Sequence, residues 1–325
     1  MYLRGLRLPA LLLLIAGLAA ASVTNAQDYP SKSLRLIIPV PPGGGTDILG
    51  RLMARKLGEA FGQQVVVDNR PGAGTVIGSD LLAKSAPDGY TLCVNINALA
   101  ANHTLYAKLP YDTLKDFTPV ILMASTPNVL VVHPSLPVRS VAEFVALARA
   151  RPDQIAYASS GVGGAAYLAA EFMKLKTGIK MIHVPYKGTV PALNALISGE
   201  TQAMLAALPG TIPFIQAARV RALGVTSAQR APAMPELPTM MEAGIAGYEF
   251  STWYGIFAPG GTPREIVAKL NTAAGKILAQ PDFKAQLARE GLDPAGGTPE
   301  WFDAYFRGEI EKLGAVIRAA GTKPE

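Results

Sequence analysis

Apolar runs of strand length alternate with helical patterns along most of this chain. Residues 34–38 are apolar except for Arg35, and after a short turn apolar side chains recur every three or four positions as far as Phe61. Further strands are predicted at 65–67, 90–94, 129–132, 155–159, 180–184, 203–208, 223–225 and 253–258. This alternation predicts an α/β fold in which the sheets are mostly parallel and flanked by helices.

Several predicted helices begin with recognisable capping residues. Ser140 and Glu143 have the spacing of a capping box, and Thr262 precedes a proline at the first helical position. Helices are predicted at about 48–61, 76–84, 141–151, 166–177, 191–197, 212–218, 263–278 and from 299 onward. The sequence contains no periodic repeat or low-complexity tract, which argues against a repeat architecture.

The glycines at 43–45 stand between the first predicted strand and the first predicted helix. Without Cβ atoms they let a ligand approach the backbone, and a helix start offers unpaired N–H groups with about half a positive charge. This arrangement is typical of an anion-binding site made of main chain. The alternative is a structural turn in which Thr46 or Asp47 caps the helix. Both interpretations stay open at this point.

The arrangement of strand, glycine turn and helix start recurs at 155–168 and at 180–191. In addition, Asn95 and Asn97 lie at the end of a predicted strand. Ligands of open α/β sheets bind at the carboxyl ends of the strands, so these amides are candidate ligand contacts. For each of them, capping of a loop is the alternative.

Residues 1–26 have the pattern of a secretory signal peptide. Arg4 and Arg7 precede an apolar stretch at 8–21, and residues 24–26 end in an alanine suited to cleavage. The stretch is too short for a comfortable membrane span, and an uncleaved anchor is the alternative. Cleavage would leave roughly 300 residues, enough for two domains with full cores. We therefore expect an exported protein.

Charge and residue content exclude several classes of function. The formal net charge of +6 is spread without a Lys/Arg block, so no nucleic-acid partner is expected. Cys93 is the single cysteine, which excludes an internal disulfide framework and a lipid-modified cysteine at the cleavage site. His103, His133 and His183 lack metal-ligand spacing, so neither a metal nor a cofactor is expected.

The sequence does not support an enzyme. Residues 161–166 follow a strand and imitate a dinucleotide-binding fingerprint, but the acidic residue expected about twenty positions later is missing. Ser159 and Ser160 lack the G-x-S-x-G pattern of a nucleophile elbow. We therefore predict a protein without catalytic residues.

Several stretches resemble, in the same order, the periplasmic solute-binding proteins of tripartite tricarboxylate transporters, also called the Bug family. The segment PPGGGTD at 41–47 is similar to the signature of that family. The resemblance continues in DNRPGAG at 68–74, DGYTL at 88–92, LPYD at 109–112, VPYKG at 184–188, LPT at 237–239, WYG at 253–255 and APGGTP at 258–263. Each segment is weak alone, but together they cover nearly the whole mature chain.

The resemblance implies a two-lobed periplasmic-binding-protein fold, with a ligand closed between the lobes as in a Venus flytrap. One lobe would comprise 27–126 plus 250–325 and the other 127–249. The chain would cross between the lobes near 125–127 and 250–252. The resemblance also implies a periplasmic location, integral-membrane permease subunits as partners, and a monomer.

The resemblance further implies a site that holds a carboxylate of the ligand on backbone groups and ordered waters. The predicted ligand-binding residues come from the glycine turns, the strand ends and one later strand. They are Pro42, Gly43, Gly44, Thr46, Asp47, Asn97, Ala98, Ser159, Ser160, Gly161, Ala165, Tyr167, Lys187, Gly188 and Ala206. For Lys187, a solvated surface charge is the alternative.

Three departures from the family pattern shape the predicted ligand. Val40 stands where the family often has an aromatic residue, 166–168 read Ala-Tyr-Leu where Ser-His-Leu is common, and 205–208 read Leu-Ala-Ala-Leu where polar or acidic residues are common. An amino-acid ligand would need a partner for its buried ammonium group. We therefore expect a small organic carboxylate with an apolar or aromatic body that stacks on Tyr167.

Two other functions are compatible with the same fold. The protein could sense its ligand and signal to a membrane receptor without transport, and the residues alone do not distinguish this from delivery to a permease. The altered pocket residues also leave open a protein that has lost binding and keeps a structural role.

Overall fold

The predicted alternation of strands and helices is present in the computed structural model of this protein, which describes residues 29–322. The α/β fold class is therefore confirmed. From Lys32 onward the described chain forms one compact unit, whereas the predicted signal peptide at 1–26 lies outside the described residues. Between residues 29 and 322, no helix combines the length and the apolar character that crossing a membrane requires.

The strands of the described chain are joined by hydrogen bonds into one network. They are β1 (Leu34–Ile38), β2 (Val65–Asn69), β3 (Thr91–Ile96), β4 (Phe117–Val132), β5 (Ala156–Ser159), β6 (Ile182–Pro185), β7 (Ala203–Ala207), β8 (Arg221–Val225), β9 (Ser251–Pro259) and β10 (Asp293–Gly296). Their order is β2-β1-β3-β9-β4-β7-β5-β6, and β8 and β10 also pair with β4. The pairs at both ends of this order are parallel, as expected of strand–helix units.

Helices cover this network. They are α1 (Gly45–Phe61), α2 (Val76–Ala83), α3 (Asn97–Leu105), α4 (Val141–Ala150), α5 (Ala165–Thr177), α6 (Thr189–Ile197), α7 (Ile212–Gln216), α8 (Arg264–Ala279), α9 (Pro281–Arg289) and α10 (Pro299–Ala319). A 3₁₀ turn at Ala73–Thr75 precedes α2. The predicted N-cap of α4 is observed, because Ser140 accepts from the Glu143 N–H, and at α10 Thr298 accepts from the Trp301 N–H. At α8, Pro263 occupies the N-cap position, one residue later than predicted.

The long strand β4 connects two differently paired regions of the network. Its first part pairs with β9, where Ser125 lies opposite Trp253. After Pro127 its partners change to β7 and β8, beginning with Asn128 opposite Ala207. The two predicted crossings, 125–127 and 250–252, therefore lie beside each other in the β4–β9 pair. The lobe boundaries that were built on these crossings stay a prediction.

Strand β9 separates the aromatic core from the side on which α1 begins. Trp253 and Phe257 face α10, where they pack against Phe302 and Phe306. Gly255 lies between them on the same face, and any side chain there would collide with Phe302. Because side chains alternate along a strand, Tyr254 points to the opposite face of β9, toward Gly45.

Candidate functional site

The turn between β1 and α1 is held in shape by the Asp47 side chain. Its Oδ2 accepts a hydrogen bond from the Gly43 N–H at 3.0 Å, its Oδ1 accepts one from Asn69 Nδ2 at 2.9 Å, and Arg51 Nε lies 3.0 Å from both oxygens. Burial would raise the pKa of Asp47, but the hydrogen bonds from Arg51, Asn69 and Gly43 hold it below its usual value. The carboxylate is therefore charged and already partnered within the protein.

Because the Asp47 carboxylate binds Gly43, Asn69 and Arg51, it does not occupy the next main-chain N–H groups at the start of α1. Gly44 is the N-cap residue, and its carbonyl accepts from the N–H groups of Asp47 and Ile48. The turn hydrogen bonds of the described chain do not use the N–H groups of Gly44, Gly45 and Thr46. A helix start with free N–H groups is suited to an anionic oxygen.

Two loops from the other region of the network meet this turn, and we call the assembly the loop junction (43–46, 188–190 and 209–210). A Cβ atom on Gly43 would lie 3.4 Å from Val190 Cγ2, and one on Gly44 would lie 3.6 Å from Thr189 Oγ1. Gly188 has a φ of +120° and packs against Pro41. The first and third glycine turns of the sequence analysis are therefore in contact in the folded chain.

The base of the loop junction includes residues that the sequence analysis did not select. A Cβ atom on Gly45 would lie 2.7 Å from Tyr254 Oη and 3.0 Å from Pro209 Cβ. Pro209 follows β7, and Tyr254 lies on β9 more than 200 positions after the glycine turn. Strand alternation around Trp253 could have indicated which face Tyr254 occupies. Nothing local in the sequence indicates that this face meets Gly45.

The second glycine turn, at 159–164, is organised by a serine–histidine pair. Ser159 Oγ accepts from the Gly161 N–H at 3.1 Å and lies 2.6 Å from His183 Nε2. The His183 ring stacks on Tyr157, with ring centroids 4.9 Å apart, and burial lowers the pKa of His183 to about 4. The histidine is thus a neutral support for the turn, a role that the sequence analysis did not assign.

This second turn meets the opposite region at a different point. A Cβ atom on Gly163 would lie 2.5 Å from Leu105 Cδ1, and one on Gly74 would lie 3.4 Å from the carbonyl oxygen of Val162. Ser160 lies close to Gly164, the N-cap residue of α5, and Ala165 is the first residue of that helix. These contacts place the turn beside α3 and the 3₁₀ turn.

Three predicted site residues use their side chains elsewhere. Asn97 Nδ2 donates to the Ser251 carbonyl at 3.1 Å and its Oδ1 accepts from the Trp253 N–H, while its backbone and that of Ala98 begin α3. Tyr167 packs on His183 and its hydroxyl is 2.6 Å from Thr322 Oγ1. Ala206 is fully buried opposite Val129. As ligand contacts, these residues stay predictions.

The other predicted residues differ in exposure. Pro42 and Lys187 are exposed, whereas Gly44, Thr46 and Gly188 are buried at the loop junction. Within residues 29–322, no group of three or more His, Cys, Asp or Glu side chains is placed to hold a metal ion. At the loop junction, the groups available to a ligand are the free N–H groups at the start of α1.

Comparison with known proteins gives a consistent picture. The family model described as "Tripartite tricarboxylate transporter family receptor" matches residues 49–322. The protein BugT of Bordetella pertussis is 36% identical over 311 residues, covering 95% of each chain. Two solved structures from Rhodopseudomonas palustris are also similar. Rpa4515 with adipate has a TM-score of 0.89 at 39% identity, covering 92% of this chain and 100% of that one. MatC with bound malate has a TM-score of 0.84 at 31% identity, and the match covers 89% of this chain and 100% of MatC.

Proposed function

Since this chain belongs to the tripartite tricarboxylate transporter receptor family, we propose that it binds a small organic carboxylate at the loop junction and delivers it to a membrane permease. The family comprises periplasmic substrate-binding receptors with a two-lobed α/β fold, and it is not a family of enzymes. We propose that this protein is itself periplasmic, with residues 1–26 as its signal peptide, and that it acts as a monomer.

The observation that carries the proposal is the set of free N–H groups at the start of α1. The N–H groups of Gly44, Gly45 and Thr46 make no turn hydrogen bond, and the loops at 188–190 and 209–210 pack against this turn. Hydrogen bonds to a charged acceptor contribute roughly 1.5–3 kcal/mol each, so a few of them offset the ordering costs and leave micromolar affinity.

The proposed ligand has an apolar or aromatic body rather than an ammonium group. Val190 and Pro209, which belong to the loop junction, are apolar. Asp47, the acidic side chain of the turn, is already paired with Arg51 and Asn69, so a buried ammonium would lack an anionic partner. The ligands in the two similar structures, adipate and malate, also carry carboxylates and no ammonium group.

We further propose that binding closes the two lobes around the ligand. The carboxylate would bind first to the α1 start, and the loops at 188–190 and 209–210 would then complete its enclosure. The closed form would be the one that the permease recognises. Uptake of labelled ligand, compared between strains with and without the permease genes, separates delivery from a signalling role.

The first prediction is that an apolar-bodied acid stabilises the protein in a thermal unfolding assay. The mature chain is refolded to remove carried-over ligand and tested with adipate, malate, citrate, glutamate and benzoate. A ligand at about one hundred times its Kd adds about 2.7 kcal/mol to the free energy of unfolding, which gives a clear shift in Tm. Tighter binding of glutamate than of adipate or benzoate would contradict the apolar body. The absence of any shift would contradict the carboxylate receptor itself.

A further inference from the structure

Tyr254 brings a buried hydroxyl to the loop junction. It lies on β9 between Trp253 and Gly255, which face α10, so its own side chain points to the opposite face. Only 2% of the residue is exposed. Its Oη lies 2.7 Å from the position that a methyl group on Gly45 would occupy. The phenol therefore ends beside the first residue of α1.

This hydroxyl has no hydrogen-bond partner within residues 29–322. Burial raises the pKa of Tyr254, and neither a hydrogen bond nor a neighbouring charge contributes to that change. Two other buried tyrosines are paired, since Tyr157 donates to Glu171 at 2.6 Å and Tyr248 to the Ala169 carbonyl at 2.7 Å, whereas the enclosed hydroxyl of Tyr111 has no partner. A buried polar group without a partner is unfavourable, so the unpaired phenol points to a group that binds there.

The Tyr254 oxygen is also accessible. The described chain contains fully enclosed side-chain oxygens without a partner, and they belong to Asp80, Asn102, Tyr111, Thr113 and Thr201. Tyr254 Oη is not among them, so it keeps a small accessible surface although its ring is enclosed. A carboxylate that reaches this oxygen can accept a hydrogen bond from the phenol, which keeps its proton.

The surroundings of this oxygen favour an anion. Gly45 is the first residue of α1, a helix of 17 residues, whose start carries partial positive charge. Thr46 is 6% exposed, and its N–H group is free of turn hydrogen bonds. The carboxylate of Asp47 is engaged by Arg51, Asn69 and the Gly43 N–H. A phenol that donates to a carboxylate forms a charge-assisted hydrogen bond, which is stronger than a neutral one.

We propose that Tyr254 is a ligand-binding residue whose Oη donates a hydrogen bond to the carboxylate held at the start of α1. This inference rests on the proposed function and adds a specific donor to it. The carboxylate then lies between helix and strand, with the α1 N–H groups on one side and the phenol on the other. Because a site with a buried donor rejects molecules that lack an acceptor, Tyr254 also disfavours ligands with no acceptor at this position.

The second prediction concerns the affinity of Tyr254→Phe, measured by isothermal titration calorimetry. The probe is whichever of adipate, malate, citrate, glutamate and benzoate binds the wild-type protein most tightly. Loss of one hydrogen bond to a charged acceptor should raise Kd by about 10- to 100-fold. The matched control is Tyr305→Phe, because Tyr305 lies on α10, stacked on Trp301, across the sheet from Gly45. This control should change Kd by less than about twofold.

The neutral amide of the same acid tests whether the carboxylate is the acceptor. Tyr254→Phe should weaken amide binding less than acid binding, because hydrogen bonds to neutral acceptors are weaker. Equal weakening of both would overturn the assignment to the carboxylate. An unchanged Kd for Tyr254→Phe, with acid binding intact in the wild type, would overturn the role of Tyr254 and leave the proposed function standing. A wild-type protein that binds none of the acids would contradict both. Thermal unfolding of the unliganded variants verifies that each is folded.

Discussion

Gly45 is the residue of the loop junction at which an added methyl group would lie closest to a neighbouring atom. Its Cβ would lie 2.7 Å from Tyr254 Oη and 3.0 Å from Pro209 Cβ, both below normal contact distance. The third prediction is that Gly45→Ala raises Kd for the best-binding acid at least about tenfold, because the methyl group displaces the phenol or occupies the anion position. Overpacking of this kind also lowers the free energy of unfolding by about 1–3 kcal/mol.

The control for this prediction is the neighbouring glycine. A methyl group on Gly44 would lie 3.6 Å from Thr189 Oγ1, an ordinary contact, and its φ of −87° suits alanine. Gly44→Ala should therefore keep Kd within about threefold, with a loss of up to about 1 kcal/mol in stability at the N-cap. Isothermal titration calorimetry on both variants measures whether Kd increases for Gly45→Ala and stays near the wild-type value for Gly44→Ala. Similar affinities for Gly45→Ala and Gly44→Ala would show that the ligand does not approach α1 at Gly45.

At the residue scale, the sequence indicated a strand–helix turn with free N–H groups but not the partner of each side chain. The free N–H groups at 44–46 follow from a glycine-rich strand–helix turn and were predicted. Asp47 was predicted as a ligand contact, whereas its oxygens bind Arg51 and Asn69, residues that only the fold brings to it. The contact between Tyr254 and Gly45 was not predicted, because it depends on the order of the strands in the sheet and not on the local sequence pattern.

At the scale of elements, strand β4 ties the two regions of the network together through Asn128. Its Nδ2 donates to the Leu205 carbonyl at 2.7 Å, and its Oδ1 accepts from Thr252 Oγ1 at 2.7 Å. The backbone N–H of Asn128 donates a hydrogen bond to Thr226 Oγ1, and the Thr226 hydroxyl donates one to the Phe250 carbonyl. These groups are buried, so each one that loses its partner costs about 1–3 kcal/mol.

The fourth prediction follows from this network. Asn128→Ala leaves the Leu205 carbonyl and the Thr252 hydroxyl unpaired, and should lower the free energy of unfolding by about 2–4 kcal/mol in urea titrations. Asn194→Ala, at an exposed position on α6, is the control and should stay within about 0.5 kcal/mol of wild type. A loss below about 1 kcal/mol for Asn128→Ala would mean that the crossing does not depend on this side chain.

The elements that the sequence missed are those whose form depends on tertiary packing. Helix α3 was not predicted, because its Asn- and Ala-rich sequence has no clear apolar stripe and it is buried almost all round against α10. Only 129–132 were predicted as strand in β4, whereas the strand begins at Phe117, and its earlier part contains Pro119 and Pro127, which are unfavourable in the interior of a strand. Strand β10 contains two glycine or proline residues and exists through its pairing with β4.

At the scale of the whole molecule, the glycine turns matter because the strand order brings them to facing positions. The turn at 43–45 follows β1, the second strand from one end of the network, and the loop at 188–190 follows β6 at the other end. Strand β4 connects these ends without providing either turn. A binding site assembled from two distant ends can close and open with small changes at the crossing, which is the physical basis of the proposed closure.

The stability of the whole chain should also depend on pH through His183, which supports the second glycine turn. Burial lowers the pKa of His183 to about 4, against about 6.5 in an unfolded chain. Between these values the unfolded state binds a proton that the folded state does not. The contribution of the neutral histidine is therefore fully present above about pH 6.5 and is lost as the pH falls through about 4.

The fifth prediction is that the free energy of unfolding of the wild type decreases from pH 7 to pH 4 more steeply than that of His183→Gln. The difference in slope should be below the full value of about 1.4 kcal/mol per pH unit, because the ring is only partly buried. Urea titrations at several pH values provide the measurement, and carboxylates common to both proteins cancel in the comparison. His103→Gln, at an exposed position on α3, should reproduce the wild-type profile. Parallel profiles for wild type and His183→Gln would mean that burial does not hold His183 neutral in the folded protein.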